Sequence, residues 1–190
     1  MEGKVIIISA PSGCGKSTII NAIMSKGNID MRFSVSATNR APRTGEVDGV
    51  NYYFLTDKEF QDRIDANAFV EYEEVYKGRY YGTLRSEVDR ILESGHNVVL
   101  DIDVKGGLNV KRQFGDRALS IFIKPPSIDA LRCRLEKRAT DTPEVIAERI
   151  SKADYELSFI DQYDSAIVND DLETAIAEVE GAINDFLLRP

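Results

Sequence analysis

The chain of 190 residues contains one histidine, His96, so catalysis by a histidine pair or a histidine-based triad is excluded from the outset. Cysteine is nearly as scarce. Cys14 and Cys133 are too few for a disulfide framework, and such usage fits a reducing cytoplasm. No apolar run is long enough to span a bilayer, and the apolar character of the opening "MEGKVIIISAPSG" breaks off too early for a secretory core. A basic run is missing too. With a net charge of −8, the chain offers no footprint for a nucleic-acid backbone, although a local arginine cluster could still capture a small anion. Low-complexity linkers and internal repeats are absent. What remains is an ordinary globular composition, 43% hydrophobic and 29% charged, which speaks against wholesale disorder. The length suits one compact unit with room for inserted lobes.

Strand and helix patterns alternate at both ends of the chain, which implies an α/β fold: a parallel sheet with helices on both faces. "KVIIIS" (4–9), "NVVLDID" (97–103) and "LSIFIK" (119–124) read as strands buried on both sides, and "SAIVN" (165–169) as a shorter fourth. Helices are expected at about 16–25, 105–113, 127–138, 143–162 and 171–188. The last places Leu172, Ile176, Val179, Ile183 and Phe186 in a single stripe. Thr142-Pro143 is a helix start, with threonine as cap and proline in the first turn.

Residues 33–83 break this rhythm. Strand-like pieces ("FSVSA", "NYYFLT", "FVEYEEVY") surround one helix that opens with "TDKE", where Thr56 and Glu59 can form a reciprocal capping box. Ten of the sixteen Phe and Tyr rings fall in this window, enough for an inserted mixed α/β lobe with its own small core and binding face. The expected organisation is core 1–32, inserted lobe 33–87, core 88–131, a short helical lid 132–150 and core 151–190.

Residues 8–18 read "ISAPSGCGKST". A glycine-rich turn between strand and helix that closes on Gly-Lys-Ser cradles polyphosphate, with backbone N–H groups aimed inward and a helix N-terminus behind them. On this reading Ala10, Pro11, Ser12, Gly13, Cys14, Gly15, Lys16, Ser17 and Thr18 hold ATP. Lys16 reaches the β- and γ-phosphates, and the Ser17 hydroxyl ligates Mg2+. Ala10 stands where the general pattern has glycine; Gly13 and Gly15 remain where backbone must approach phosphate most closely. The alternative is a plain tight turn. Asp101 and Asp103 end a buried strand at the sheet edge where ligands collect, so Asp101 is placed to orient Mg2+ or its waters. The alternative there is a cap on the following helix.

"TNRAPRTGEVDGVNYYF" (38–54) holds Arg40 and Arg43 around a stiffening proline, with Tyr52 nearby. Forked guanidiniums bind phosphate bidentately. "GRYYGT" (78–83) adds a tyrosine pair beside glycines. Each alone is weak, since loop arginines are usually just solvated. Together, after a phosphate loop, they suggest a second phosphate site.

The series "SAPSGxGKST", "FSVSxTxRxPRxGEVxGxxYxF", "FxEYxEVxxxxYYGT", "LDIDxxG", "RxxxR" and "IVND" resembles the guanylate kinases over essentially the whole chain. The resemblance implies transfer of the γ-phosphate of ATP to GMP with Mg2+, on a phosphate-loop core with a monophosphate lobe and a lid. It assigns Arg40, Arg43, Tyr52 and Tyr81 to the GMP phosphate, and Ser36, Glu71, Thr83 and Asp103 to the base. Guanine presents N–H donors where adenine presents a ring-nitrogen acceptor, so carboxylates welcome the first and repel the second. From spacing alone, Glu71 reads equally as a solvated strand carboxylate. The resemblance also makes Arg138 and Arg149 lid arginines, with Ala139 where a glycine is usual, and places Asn169 at the adenine pocket, although Asn before Asp is also common turn chemistry.

No general base is required, because the acceptor is a phosphate monoester already ionised near neutrality, with a second pKa of about 6. Lys16, Arg43, Arg138 and Arg149 are the catalytic candidates, neutralising charge during direct in-line transfer. Arg132 and Arg134 read as ordinary surface residues. Cys14, at a helix N-terminus, is a candidate for a lowered thiol pKa and oxidative blockade of ATP, against the plainer reading of a tolerated small side chain. Two rivals stand beside the kinase: a scaffold that keeps the fold to hold a peptide, and a kinase for another base. Neither dGMP as a substrate nor the choice between monomer and homodimer is decided by the sequence.

Overall fold

The structure, a computed structural model, describes residues 3–137 and 142–189. In chain order its first half comprises β1 (Val5–Ser9), α1 (Lys16–Lys26), β2 (Met31–Phe33), β3 (Ala37–Thr38), β4 (Tyr53–Phe54), α2 (Asp57–Asp65), β5 (Phe69–Tyr76) and β6 (Arg79–Leu84). Then follow α3 (Arg85–Glu93), β7 (Asn97–Asp101), α4 (Val104–Phe114), β8 (Ala118–Lys124), α5 (Ile128–Lys137), α6 (Pro143–Leu157), β9 (Ser165–Val168) and α7 (Leu172–Leu187).

β1 is buried along its length, and the pleat sends its residues alternately into two cores. Ile6 and Ile8 pack with α1, α5, α6 and α7 on one face; Val5 and Ile7 pack with α3 and α4 on the other. The sheet runs β2-β7-β1-β8-β9, every neighbouring pair parallel. The order reverses at β1, whose carboxyl end therefore opens on the crevice where such sheets bind ligands.

A second, mixed sheet runs β4-β3-β6-β5. Its core joins Ala37, Phe60 and Phe69 to Tyr53, Leu55, Ile64, Tyr80 and Leu84. Phe60 and Phe69 stack with centroids 4.6 Å apart. α2 begins with the expected capping box: Glu59 N–H donates to Thr56 Oγ1 at 3.2 Å, and Thr56 N–H to Glu59 Oε2 at 2.7 Å.

Several elements depart from the sequence reading. β2 is a fifth core strand, unexpected because its two exposed residues give a three-residue edge strand no apolar pattern. "FSVSA" is consequently not one strand: Phe33 ends β2, whereas Ala37 begins β3 in the other sheet. α3 escapes the pattern because only Val88, Ile91 and Leu92 interrupt an otherwise polar stretch. α6 stops at Leu157 and not at 162, since the chain turns to bring Phe159 and Tyr163 against Phe122. In α7 the expected stripe is buried except for Leu172, 37% exposed at the first turn.

Candidate active site

The phosphate loop leaves β1 and enters α1 through two left-handed glycines, Gly13 at φ 95° and Gly15 at φ 85°. Gly15 is the α1 N-cap and supplies no side-chain acceptor, so the first-turn N–H groups are left for an anion. Ala10 packs into the core as it leaves the sheet, which accounts for an alanine being accommodated there.

Lys16 and Ser17 converge on one carboxylate. Lys16 Nζ pairs with Asp101 Oδ1 and donates to the Ile102 carbonyl at 3.2 Å, while Ser17 Oγ donates to Asp101 Oδ2 at 3.2 Å. Asp103 is indeed a helix cap, accepting from Gly106 N–H at 2.8 Å, yet it also lines the cleft. Arg149 reaches the loop from α6, donating to Ser12 Oγ at 2.8 Å. Thr142 and Pro143 start α6 as expected. Arg138 and Ala139 lie outside the described residues.

Behind the loop, two expectations are corrected. Cys14 is 1% exposed, and burial pushes its thiol up to about 12, opposite to an activated thiol. Arg134 is no idle surface residue: it donates to the Asn169 carbonyl at 2.8 Å. Asn169 is buried, and its amide donates to the Cys14 carbonyl at 2.8 Å, so the side chain is turned to the loop rather than to open solvent.

A cleft of about 480 Å3 joins the phosphate loop to the second sheet. Ser36, Arg43, Tyr52, Glu71, Tyr81, Asp101 and Asp103 line it together with residues 10–18. Arg40 stands one layer behind. Its guanidinium grips Glu46 with two 2.7 Å bonds, donates to Tyr81 Oη at 3.1 Å and to the Ala41 carbonyl at 2.9 Å, and lies 5.0 Å from the Tyr52 ring centre. Four of its five N–H donors are thereby engaged. Burial raises the Tyr52 phenol above its ordinary value, leaving it a neutral donor.

Glu71 is 8% exposed, and burial pushes its carboxyl up to about 8 against the opposing bond from Thr83. Thr83 Oγ1 donates to Glu71 Oε1 at 2.7 Å, so its single proton faces Glu71 and Thr83 sits behind the cleft wall. Gly106 makes room for the other oxygen: a Cβ there would lie 2.5 Å from Glu71 Oε2.

Sequence reasoning missed Glu46, Gly106 and Arg134, and also Lys152 and Glu156 of α6, which line the cleft. Their helical spacing of four was the available signal; burial also raises the Glu156 carboxyl. Gly106 closes the "LDIDxxG" run, but that run alone gives the glycine no role.

The family model described as guanylate kinase matches residues 2–186. The chain belongs to the guanylate kinase family. It is 59% identical to the guanylate kinase of Bacteroides thetaiotaomicron, over 98% of this chain and 91% of that protein. It is 52% identical to the guanylate kinase of Porphyromonas gingivalis, over 98% and 99%. The crystal structure of guanylate kinase from Anaplasma phagocytophilum superposes with a TM-score of 0.79 at 29% identity, over 99% of this chain and 88% of that one. The parallel five-stranded core and the mixed second sheet are thus the guanylate kinase fold. Among the described residues, no helix is long and apolar enough to cross a membrane.

Proposed function

We propose that this protein phosphorylates GMP, taking the γ-phosphoryl group from ATP and releasing ADP and GDP. One observation carries the reading: a single cleft sets an uncapped phosphate loop and Lys16 opposite the buried Glu71 carboxylate. An N–H-rich loop takes the donor phosphates, and a carboxylate takes the N–H edge of guanine.

Position in the cleft and the family likeness together support a role for each residue. The loop N–H groups and Lys16 hold the β- and γ-phosphates, which displace Asp101 as the partner of Lys16. Arg43, Tyr52 and Tyr81 hold the acceptor phosphate from the cleft wall, with Arg40 ordering Tyr81 and the 40–46 loop behind them. Glu71 and Asp103 accept from guanine, Ser36 donates to it, and Thr83 acts through Glu71. Arg149, beside Ser12, and Arg138 close the site from the lid side and keep water from the phosphoryl group. The lobe of about residues 33–87 carries the acceptor toward the donor as the cleft shuts.

Ser17 Oγ and the Asp101 carboxylate are adjacent hard-oxygen donors beside the loop, a set that fits Mg2+ with its remaining ligands from phosphate and water. Held by Ser17 and Asp101, Mg2+ would neutralise charge on the phosphates during transfer. dGMP keeps the guanine edge that Glu71 and Asp103 would read, so it belongs with GMP among the acceptors to test.

The test is ADP formation from Mg-ATP with GMP, dGMP, AMP, CMP or UMP added singly. GMP and dGMP should turn over well above the rest. Fast turnover of AMP overturns the roles of Glu71 and Asp103, and acceptor-independent silence from folded protein overturns the transfer itself.

A further inference from the structure

We propose that Asn169 and Arg134 form a two-link brace that sets the conformation of the phosphate loop, so that affinity for polyphosphate is fixed from behind the loop. This rests on reading the loop as the donor site, and it gives the Asn169 Nδ2 group a positioning role behind the loop.

The argument is in the peptide geometry. The Cys14 carbonyl and the Gly15 N–H belong to one planar trans peptide unit and point in opposite directions. Asn169 Nδ2 holds the Cys14 carbonyl at 2.8 Å on the core side. The Gly15 N–H is thereby aimed away from the core, toward the cleft that Gly15 lines. Without that anchor, the left-handed Gly15 leaves the 14–15 peptide freer to flip and present an oxygen to the phosphates.

Asn169 is itself fixed. Its backbone N–H donates to the Lys124 carbonyl at 2.9 Å, at the end of β8, and its carbonyl accepts from Arg134 at 2.8 Å. α5 adds to the support through Leu131 and Leu135: a Cβ on Gly13 would stand 3.0 Å and 2.9 Å from their methyl groups. A Cβ on Gly15 would collide with the Asn169 amide, so the glycine serves close packing as well as its φ of 85°.

The test compares ATP with inorganic tripolyphosphate, by calorimetry, on the wild-type protein, Asn169→Ala and Arg134→Ala. Losing a buried hydrogen bond that aims a phosphate-binding N–H should weaken both ligands equally, by about tenfold for Asn169→Ala and less for Arg134→Ala. The KM for GMP should stay at its wild-type value, which general loosening would not allow. Tripolyphosphate binding unchanged while ATP weakens would make Asn169 an adenine contact and overturn the brace. Unchanged binding of both ligands would overturn it as well. Should Asn169→Ala fail to fold, Arg134→Ala alone decides between the same outcomes. A wild-type protein that binds tripolyphosphate but never phosphorylates GMP would sink the kinase reading and leave the brace testable.

Discussion

Thr83 donates a buried 2.7 Å hydrogen bond to Glu71, its direct partner across the β5–β6 pair. That bond orients a carboxyl whose burial, reinforced by Asp103 and Glu73, pushes its pKa up to about 8. The free protein therefore holds Glu71 largely protonated at neutrality, whereas in its proposed role the group must be ionised to accept the guanine N–H groups. Binding must expel the proton. The KM for GMP should accordingly fall as pH rises from 7 to 9, a window above the GMP phosphate titration at about 6. Glu71→Gln should abolish that dependence and lower kcat/KM for GMP by on the order of 10³-fold. Steady-state kinetics across the window measure both.

The same group makes stability depend on pH with a definite sign. In the unfolded chain Glu71 loses its proton near the ordinary value of 4.5, but in the fold it keeps it to about 8. The folded state therefore binds more protons between those values, and stability contributed by this group falls as pH rises through the window. Thermal melts of wild type and Glu71→Gln should diverge in that direction: the variant gains relative to wild type from pH 5 to pH 8. A parallel pair of curves would show that Glu71 is ionised throughout.

Gly106 offers a steric test of the same carboxylate. An added Cβ would lie 2.5 Å from Glu71 Oε2 and 3.1 Å from its Cδ. Backbone strain plays no part, because Gly106 is helical and alanine favours helix. Gly106→Ala should thus displace Glu71 and raise the KM for GMP by about tenfold or more while leaving the KM for ATP alone. Gly107→Ala should behave differently. Its Cβ would meet Tyr163 Oη at 2.6 Å and Ser9 Oγ at 2.7 Å, so it should lower Tm before it touches specificity.

How far the sequence could be read follows from which signals are local. β1, β7 and β8 announce themselves because strands buried on both faces must be apolar throughout. The phosphate loop does so because its chemistry is contiguous. Thr56 with Glu59, and Thr142 with Pro143, are likewise local and were legible. β2 was not, since a three-residue edge strand is stabilised by β7 and not by its own pattern. The acceptor wall was legible only through family likeness: its parts come from β5, β6 and the start of α4, and nothing in the spacing of Glu71, Thr83 and Gly106 says that they meet. Arg134 and Asn169 are 35 residues apart, and their bond exists only once α5 lies against the end of β9.

Chemical labelling separates the two cysteines. Cys14 is buried with its thiol raised to about 12, whereas Cys133 is exposed on α5. The thiolate is the reactive form, so iodoacetamide at pH 8 should add once to the native protein, at Cys133, and leave GMP phosphorylation intact. A second adduct should appear only in denaturant. Mass spectrometry of the native protein decides this; fast modification of Cys14 would mean that the loop opens far more readily than its packing implies.

The Arg40–Glu46 fork should separate the two arginines of the acceptor loop. Glu46 takes both 2.7 Å bonds from Arg40 and one more, also 2.7 Å, from the Arg43 backbone N–H. It thus fixes the turn from which the Arg43 side chain reaches the cleft. The Arg40 guanidinium and the Arg43 backbone N–H hold the Glu46 carboxyl down to about 2, below its ordinary value of 4.5. A depressed carboxyl stabilises the fold above its unfolded value and stops doing so only as pH falls through the folded one. The fork is therefore fully charged across the whole working range. Glu46→Gln keeps the size but loses the charge and half the fork, so the KM for GMP should rise by about tenfold. The rise should be equal at pH 6 and pH 9, with the KM for ATP unmoved. Arg43→Ala should instead cut kcat if, as proposed, its guanidinium meets the transferring charge. If Arg40→Ala lowered kcat as much as Arg43→Ala did, Arg40 would be a direct phosphate ligand in the closed enzyme, released from Glu46 as the cleft shuts.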